Sequence, residues 1–138
     1  MDIERIEDIT LESLNGFGKT SVGDLTFIDA GKVTFMGVEF NGEFIFTGDE
    51  LEYMTLRPLM DEEPTREHYL RKVEYCRKFV EEHLSDFIAF DTHLDDKRCT
   101  YKWTFHNCKA DCTVWFEPDL DGGDLVIRPE DYFMKLFG

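Results

Sequence analysis

Tyr69, Leu70, Val73, Cys76, Val80, Leu84 and Phe87 follow one another largely at three- and four-residue steps, the spacing that gathers apolar side chains on one face of an α-helix. A helix with a single apolar stripe must bury it against another element, so the stripe demands a partner layer. Ahead of it, Asp61-Glu62-Glu63-Pro64 reads as the helix start. A proline in the first turn lacks only an N–H that has no partner there, and the acids suit the positive end of the helix dipole. Glu67–Arg71, Glu74–Lys78 and Arg77–Glu81 stand four residues apart on the solvent side, each pair worth about 0.2–0.5 kcal/mol.

The partner layer is a sheet. Cys99 to His106 alternates strictly, with Cys99, Tyr101, Trp103 and Phe105 on one face and Thr100, Lys102, Thr104 and His106 on the other. Asn107 to Asp111 then reads as a turn, Thr113 to Phe116 as the return strand, Asp119 to Asp124 as another turn and Leu125 to Arg128 as a last short strand. Upstream, Leu25 to Asp29 and Lys32 to Phe40 read as strands around Ala30-Gly31, with Gly37 as a bulge. Asn41-Gly42 suits a two-residue turn into Glu43 to Phe46, because a type I′ turn needs two positive φ angles. Phe44, Ile45 and Phe46 are apolar on both alternating faces, which predicts an interior strand. Residues 2–15 favour a short helix over a strand, and Gly16, Gly18 and Gly23 mark the loop after it. Pro129-Glu130-Asp131 opens a short C-terminal helix through Phe137. The expected fold class is α+β: one domain over residues 1–138, a mostly antiparallel sheet of hairpins packed against one long amphipathic helix.

Charge bounds the function. Thirty Asp and Glu against fifteen Lys and Arg leave a net charge of −15 over 138 residues. Residues 1–63 carry 15 acids and 4 bases, residues 64–110 carry 8 and 9, and residues 111–138 carry 7 and 2. A field of this sign repels nucleic acid and anionic membranes and attracts basic surfaces. No apolar run approaches the roughly 20 residues of a membrane-spanning helix, and Met1-Asp2-Ile3-Glu4-Arg5 lacks the start of an export signal. A cytoplasmic location with reduced thiols at Cys76, Cys99, Cys108 and Cys112 is therefore expected.

Four local patterns invite chemistry. Gly18-Lys19-Thr20 copies the end of a P-loop, but Ser13 stands where its first glycine belongs and strand-like sequence follows, so nucleotide binding is rejected. Cys99, His106, Cys108 and Cys112 form the most metal-like cluster, with Cys108-x3-Cys112 as a possible zinc knuckle. Strand alternation sets Cys99 and His106 on opposite faces, which argues for buried thiols and a surface imidazole instead. Asp91-Thr92-His93-Leu94-Asp95-Asp96 places an imidazole among carboxylates, an acid/base or cation site in form and a solvated loop in the simpler reading. Asp119-Leu120-Asp121-Gly122-Gly123-Asp124 resembles a calcium loop, yet Gly123 occupies a ligand position. Cys76 falls on the apolar helix face, a core position where a thiol is inert, and His68 and His83 lie too far apart to form a metal pair.

The acids of the first hairpin and its exit remain: Glu39, Glu43, Asp49, Glu50, Glu52, Asp61, Glu62 and Glu63, with Tyr53 among them as an aromatic anchor. A hairpin over Val33 to Thr47, the acidic step Asp61 to Thr65 and a helix bearing Tyr69, Tyr75 and Phe79 together resemble certain small acidic bacterial proteins of the immunity type, which neutralise toxins. That resemblance spans about half the chain and implies inhibition of a partner protein, with no residue role carried over. The expectation is a non-enzymatic acidic inhibitor without cofactor. It would occlude a basic, nucleic-acid-handling surface of a partner by charge mimicry, as an immunity, antitoxin or phage counter-defence protein does. The alternative is a metal-binding protein using the Cys/His hairpin or the Asp/His loop.

Overall fold

The computed structural model of the chain describes residues 2–61, 63–84, 87–116 and 120–129. Among them, nine strands form one sheet: β1 (Asp2–Ile3), β2 (Lys19–Val22), β3 (Leu25–Phe35), β4 (Val38–Thr47), β5 (Glu50–Pro58), β6 (Ala89–Leu94), β7 (Arg98–Thr104), β8 (Cys108–Trp115) and β9 (Asp121–Pro129). One helix, α1 (Arg66–His83), packs on the sheet, chiefly over β8 and β9. The strands run in the order β1-β3-β4-β5-β9-β8-β7-β6, with β2 also on β3. Every pairing is antiparallel except β1 with β3. The fold is thus α+β with a mostly antiparallel sheet, and Phe44, Ile45 and Phe46 are buried on both faces of the interior strand β4.

The helix is shorter than its apolar stripe. Thr65 is the N-cap, its Oγ1 accepting from the His68 N–H at 3.1 Å, so Pro64 lies before the first turn rather than in it. Leu84 caps the other end with φ −117° and ψ 66°. Phe87 therefore leaves the helical face and joins an aromatic group with Phe90 and Phe105, at ring separations of 6.0 and 6.4 Å.

The first hairpin turns at a different place from the Asn-Gly pair. Met36 and Gly37, at φ 52° and 83°, make the connection from β3 to β4, both in the left-handed region that a primed two-residue turn requires. Asn41 and Gly42 sit in mid-strand, paired to β3 on one side and β5 on the other. Gly42 is needed for closeness, since a Cβ there would stand 2.9 Å from Val33 Cγ2. Leu25 to Phe35 is one strand with a bulge between Asp29 and Gly31, and Gly48-Asp49 turns β4 into β5, a strand the sequence reading missed. Residues 91–94 likewise belong to β6 rather than to a loop.

The N-terminal segment is not a helix over 2–15. Ile3 pairs with Phe35, Ile6 to Asp8 form a single 3₁₀ turn, and Thr10 and Ser13 exchange side-chain-to-backbone hydrogen bonds at 3.0 and 3.1 Å. Such local bonds compete with helix. Ile3, Ile6, Ile9 and Leu14 are all buried and extend the core that α1 covers elsewhere. Phe79 of α1 packs on Phe35 and Phe40 at 5.7 and 5.0 Å. The expected C-terminal helix lies outside the described residues.

Candidate functional site

Strand direction distributes the acids of residues 39–63. Glu39 sits at the start of β4, and Asp61 and Glu63 follow the end of β5, so these three lie at one end of the hairpin. Asp49, Glu50 and Glu52 lie at the other end, nine strand steps or about 30 Å away. Glu43 lies between, directly opposite Asp29. The fold therefore splits the expected patch in two, while Glu62 is outside the described residues.

The two ends differ in how their charge is met. Glu39 pairs with Lys32 at 3.3 Å and Glu63 with Arg71 at 3.6 Å. Nearby, Asp124 stands between Lys72 at 3.5 Å and Arg57 at 3.6 Å. Lys72 is itself buried and donates to the Gly122 carbonyl at 2.9 Å. At the other end Asp49, Glu50 and Glu52 are exposed and take part in none of the ion pairs found among the described residues. Asp24 joins them, because the Gly48 N–H donates to its carbonyl at 3.3 Å and ties the β2–β3 turn to the β4–β5 turn. Four exposed carboxylates thus crown adjacent turns. The sequence held no local signal for Asp24, since 25 residues separate it from Asp49.

Tyr53 is not an exposed anchor. It lies half-buried on the sheet face away from α1, with the Arg128 guanidinium 4.7 Å above its ring. That face carries both signs of charge. In one row across it Asp111 faces Lys102, which faces Asp91. Burial raises the Asp111 carboxyl above its ordinary value, against the opposing pull of Arg128 and Lys102. A shallow hollow of about 380 Å³ there is lined by Asp91, Lys102, Lys109, Asp111 and Arg128 among others, a balanced set rather than an acidic one.

The metal-like residues are spread over the fold. Cys99, Cys108 and Cys112 are buried on β7 and β8, Cys76 is buried on α1, and His106 is exposed in the β7–β8 turn. A hydrogen bond with Cys76, and then burial, lift the Cys112 thiol well above its usual range. Burial pushes Cys108 up to about 12, so both are held as neutral thiols. Among the described residues no three His, Cys, Asp or Glu side chains come together to hold a metal ion. His93 and Asp95 meet at 2.6 Å, but Asp95 also accepts from the N–H groups of Lys97 and Arg98 at 2.7 and 3.0 Å, which organises the β6–β7 turn. In the calcium-like segment the Asp121 carboxylate accepts from the Gly122 N–H at 2.7 Å, and Asp124 already faces two cations. Lys19 and Thr20 lie in β2, with no helix following them.

The apolar exposure that sequence reading missed lies at β6: Phe87, Ile88, Phe90 and Leu94 are 40–67% exposed. Phe90 and Leu94 alternate with Asp91 and His93, a period-two signal that the charge of the segment obscured. No helix among the described residues is long and apolar enough to cross a membrane. No family model matches the chain, and no curated protein or solved structure is significantly similar to it.

Proposed function

We propose that the chain is a non-enzymatic acidic binding protein that inhibits a partner by covering a basic, nucleic-acid-handling surface, in the manner of an immunity, antitoxin or phage counter-defence protein. The observation that carries this reading is the crown of Asp24, Asp49, Glu50 and Glu52, which is exposed and without an ion pair among the described residues, while Glu39 and Glu63 at the opposite end are paired. Two adjacent turns hold these carboxylates on a sheet, so little ordering is required when they meet arginine and lysine. Like-signed charge at one pole steers a basic partner by raising its rate of approach, more than it adds to final affinity. Glu43, Asp61 and the paired Glu39 and Glu63 form a secondary surface on the same hairpin.

The test is capture from a bacterial lysate on the immobilised protein, comparing wild type with the Asp49→Asn/Glu50→Gln/Glu52→Gln variant. Wild type should retain a basic nuclease or other nucleic-acid-binding protein, block its activity, and release it as salt rises. The variant should lose most of this. Equal capture by both proteins, or retention indifferent to salt, contradicts charge mimicry at this pole.

A further inference from the structure

The two edges of the sheet are finished differently. Along β3 the edge is broken into β1, two residues and parallel, and β2, four residues and antiparallel. Short interrupted edges are one way a sheet avoids pairing with another. At the opposite edge β6 offers six exposed residues, without proline, lysine or bulge, in continuous register with β7 from Ala89↔Thr104 to Leu94↔Cys99. The Asp95 N–H donates to the Arg98 carbonyl at 3.0 Å. By antiparallel alternation His93, Asp91 and Ala89 also turn their backbone groups towards β7. Phe90, Thr92 and Leu94 therefore direct their N–H and C=O groups away from the sheet.

We propose that β6 is the interface of a symmetric homodimer, in which two copies pair edge to edge, antiparallel, about a two-fold axis at Thr92. Hydrogen bonding demands that outward-directed residues meet outward-directed residues, so the axis must fall on a residue of the strand. An axis at Asp91 sets that carboxylate against its own copy, and an axis at His93 sets Asp91 against Asp95. Axes at Phe90 or Leu94 run half of the pairing off the strand. The axis at Thr92 places Asp91 of each copy opposite His93 of the other, and Phe90 opposite Leu94, so a carboxylate meets an imidazole rather than another carboxylate, and apolar meets apolar. Cross-strand pairs of these kinds are the ones that stabilise sheets.

The long-range charge permits the approach. In residues 87–110 Asp91, Asp95 and Asp96 are offset by Lys97, Arg98, Lys102 and Lys109, whereas residues 1–63 carry 15 acids and 4 bases. The acidic crown sits on β2–β5, across the sheet from β6. A dimer formed at β6 would present two crowns.

Sedimentation velocity from micromolar to millimolar concentration tests the proposal, with two variants. Thr92→Pro removes an outward N–H at the axis and leaves the β6–β7 ladder intact, a place where an edge strand tolerates proline. Thr92→Cys puts two thiols at the axis, with Cα atoms about 5.5 Å apart, within disulfide reach. Asp91→Cys sets its two thiols two residues out of step, beyond that reach. The four native cysteines are buried and do not compete. Wild type should dimerise, Thr92→Pro should weaken the dimer at least about tenfold while keeping its circular dichroism, and under mild oxidant only Thr92→Cys should cross-link efficiently. A wild type monomeric throughout, a folded Thr92→Pro that dimerises as tightly as wild type, or equal cross-linking by both cysteine variants overturns it. If Thr92→Pro does not fold, the two cysteine variants decide the matter.

Discussion

Gly37 and Gly122 both have positive φ, for different physical reasons. At Gly37 (φ 83°) the space around a new Cβ is open, so alanine pays only for a left-handed backbone. Gly37→Ala should cost about 1 kcal/mol in urea unfolding. At Gly122 (φ 98°) a Cβ would also stand 2.1 Å from the Thr113 carbonyl oxygen, which belongs to a paired strand. Gly122→Ala should cost about 3 kcal/mol or prevent folding, and a loss no larger than that of Gly37→Ala would contradict the close packing of β8 on β9. Asp95 gives a pH signature at the same scale. Its hydrogen bond to His93, followed by those from the Lys97 and Arg98 N–H groups, holds its carboxyl at about 2 instead of 3.8. A lowered carboxyl favours the folded state above its unfolded value, and the benefit is lost as pH falls through about 2. A carbon-detected NMR titration should find that midpoint near 2, and Asp95→Asn should remove the acid-side change in the β6–β7 turn between pH 4 and pH 2.

Elements were legible where one periodicity acted alone. The apolar stripe located α1, which buries one face and exposes the other, and the alternation from Cys99 to Phe105 located β7, whose Cys99 and Trp103 are buried while Lys102 on the other face is exposed. Legibility failed where a position served a distant contact. Asn41-Gly42 carries a turn signature, but Gly42 is there so that Val33 can pass close by. Phe87 continued a helical spacing, yet its ring belongs to a cluster with Phe90 and Phe105, contributed by β6 and the β7–β8 turn. The helix boundaries follow capping rather than the stripe. Thr65→Ala should lower stability by about 1 kcal/mol, since the hydroxyl accepts the His68 N–H, whereas Pro64→Ala should change it by a few tenths at most. Chemical denaturation separates the two. A larger loss at Pro64 than at Thr65 would return the helix start to the position that the acidic Pro-containing step suggests.

For the whole molecule, net charge is a poor guide to surface until topology is known. The acids of residues 39–63 read as one cluster in sequence, but antiparallel strands carry them to opposite ends, and among the described residues Lys32 of β3 and Arg71 of α1 pair with Glu39 and Glu63 at one of those ends. Asp24 joins the other end through pairing that no local pattern announces. Among the described residues the charge is polarised, with a crown that forms no ion pair, a sheet face of mixed sign and an edge of low net charge. The most direct measurement is the association rate of the captured basic partner with wild type and with Asp49→Asn/Glu50→Gln/Glu52→Gln, by stopped flow across a range of ionic strength. The account predicts that wild-type association slows steeply with salt, that the variant is slower by at least about tenfold at low salt, and that the two converge at high salt. Rates that coincide at low salt, or a variant that keeps the wild-type salt slope, would contradict it.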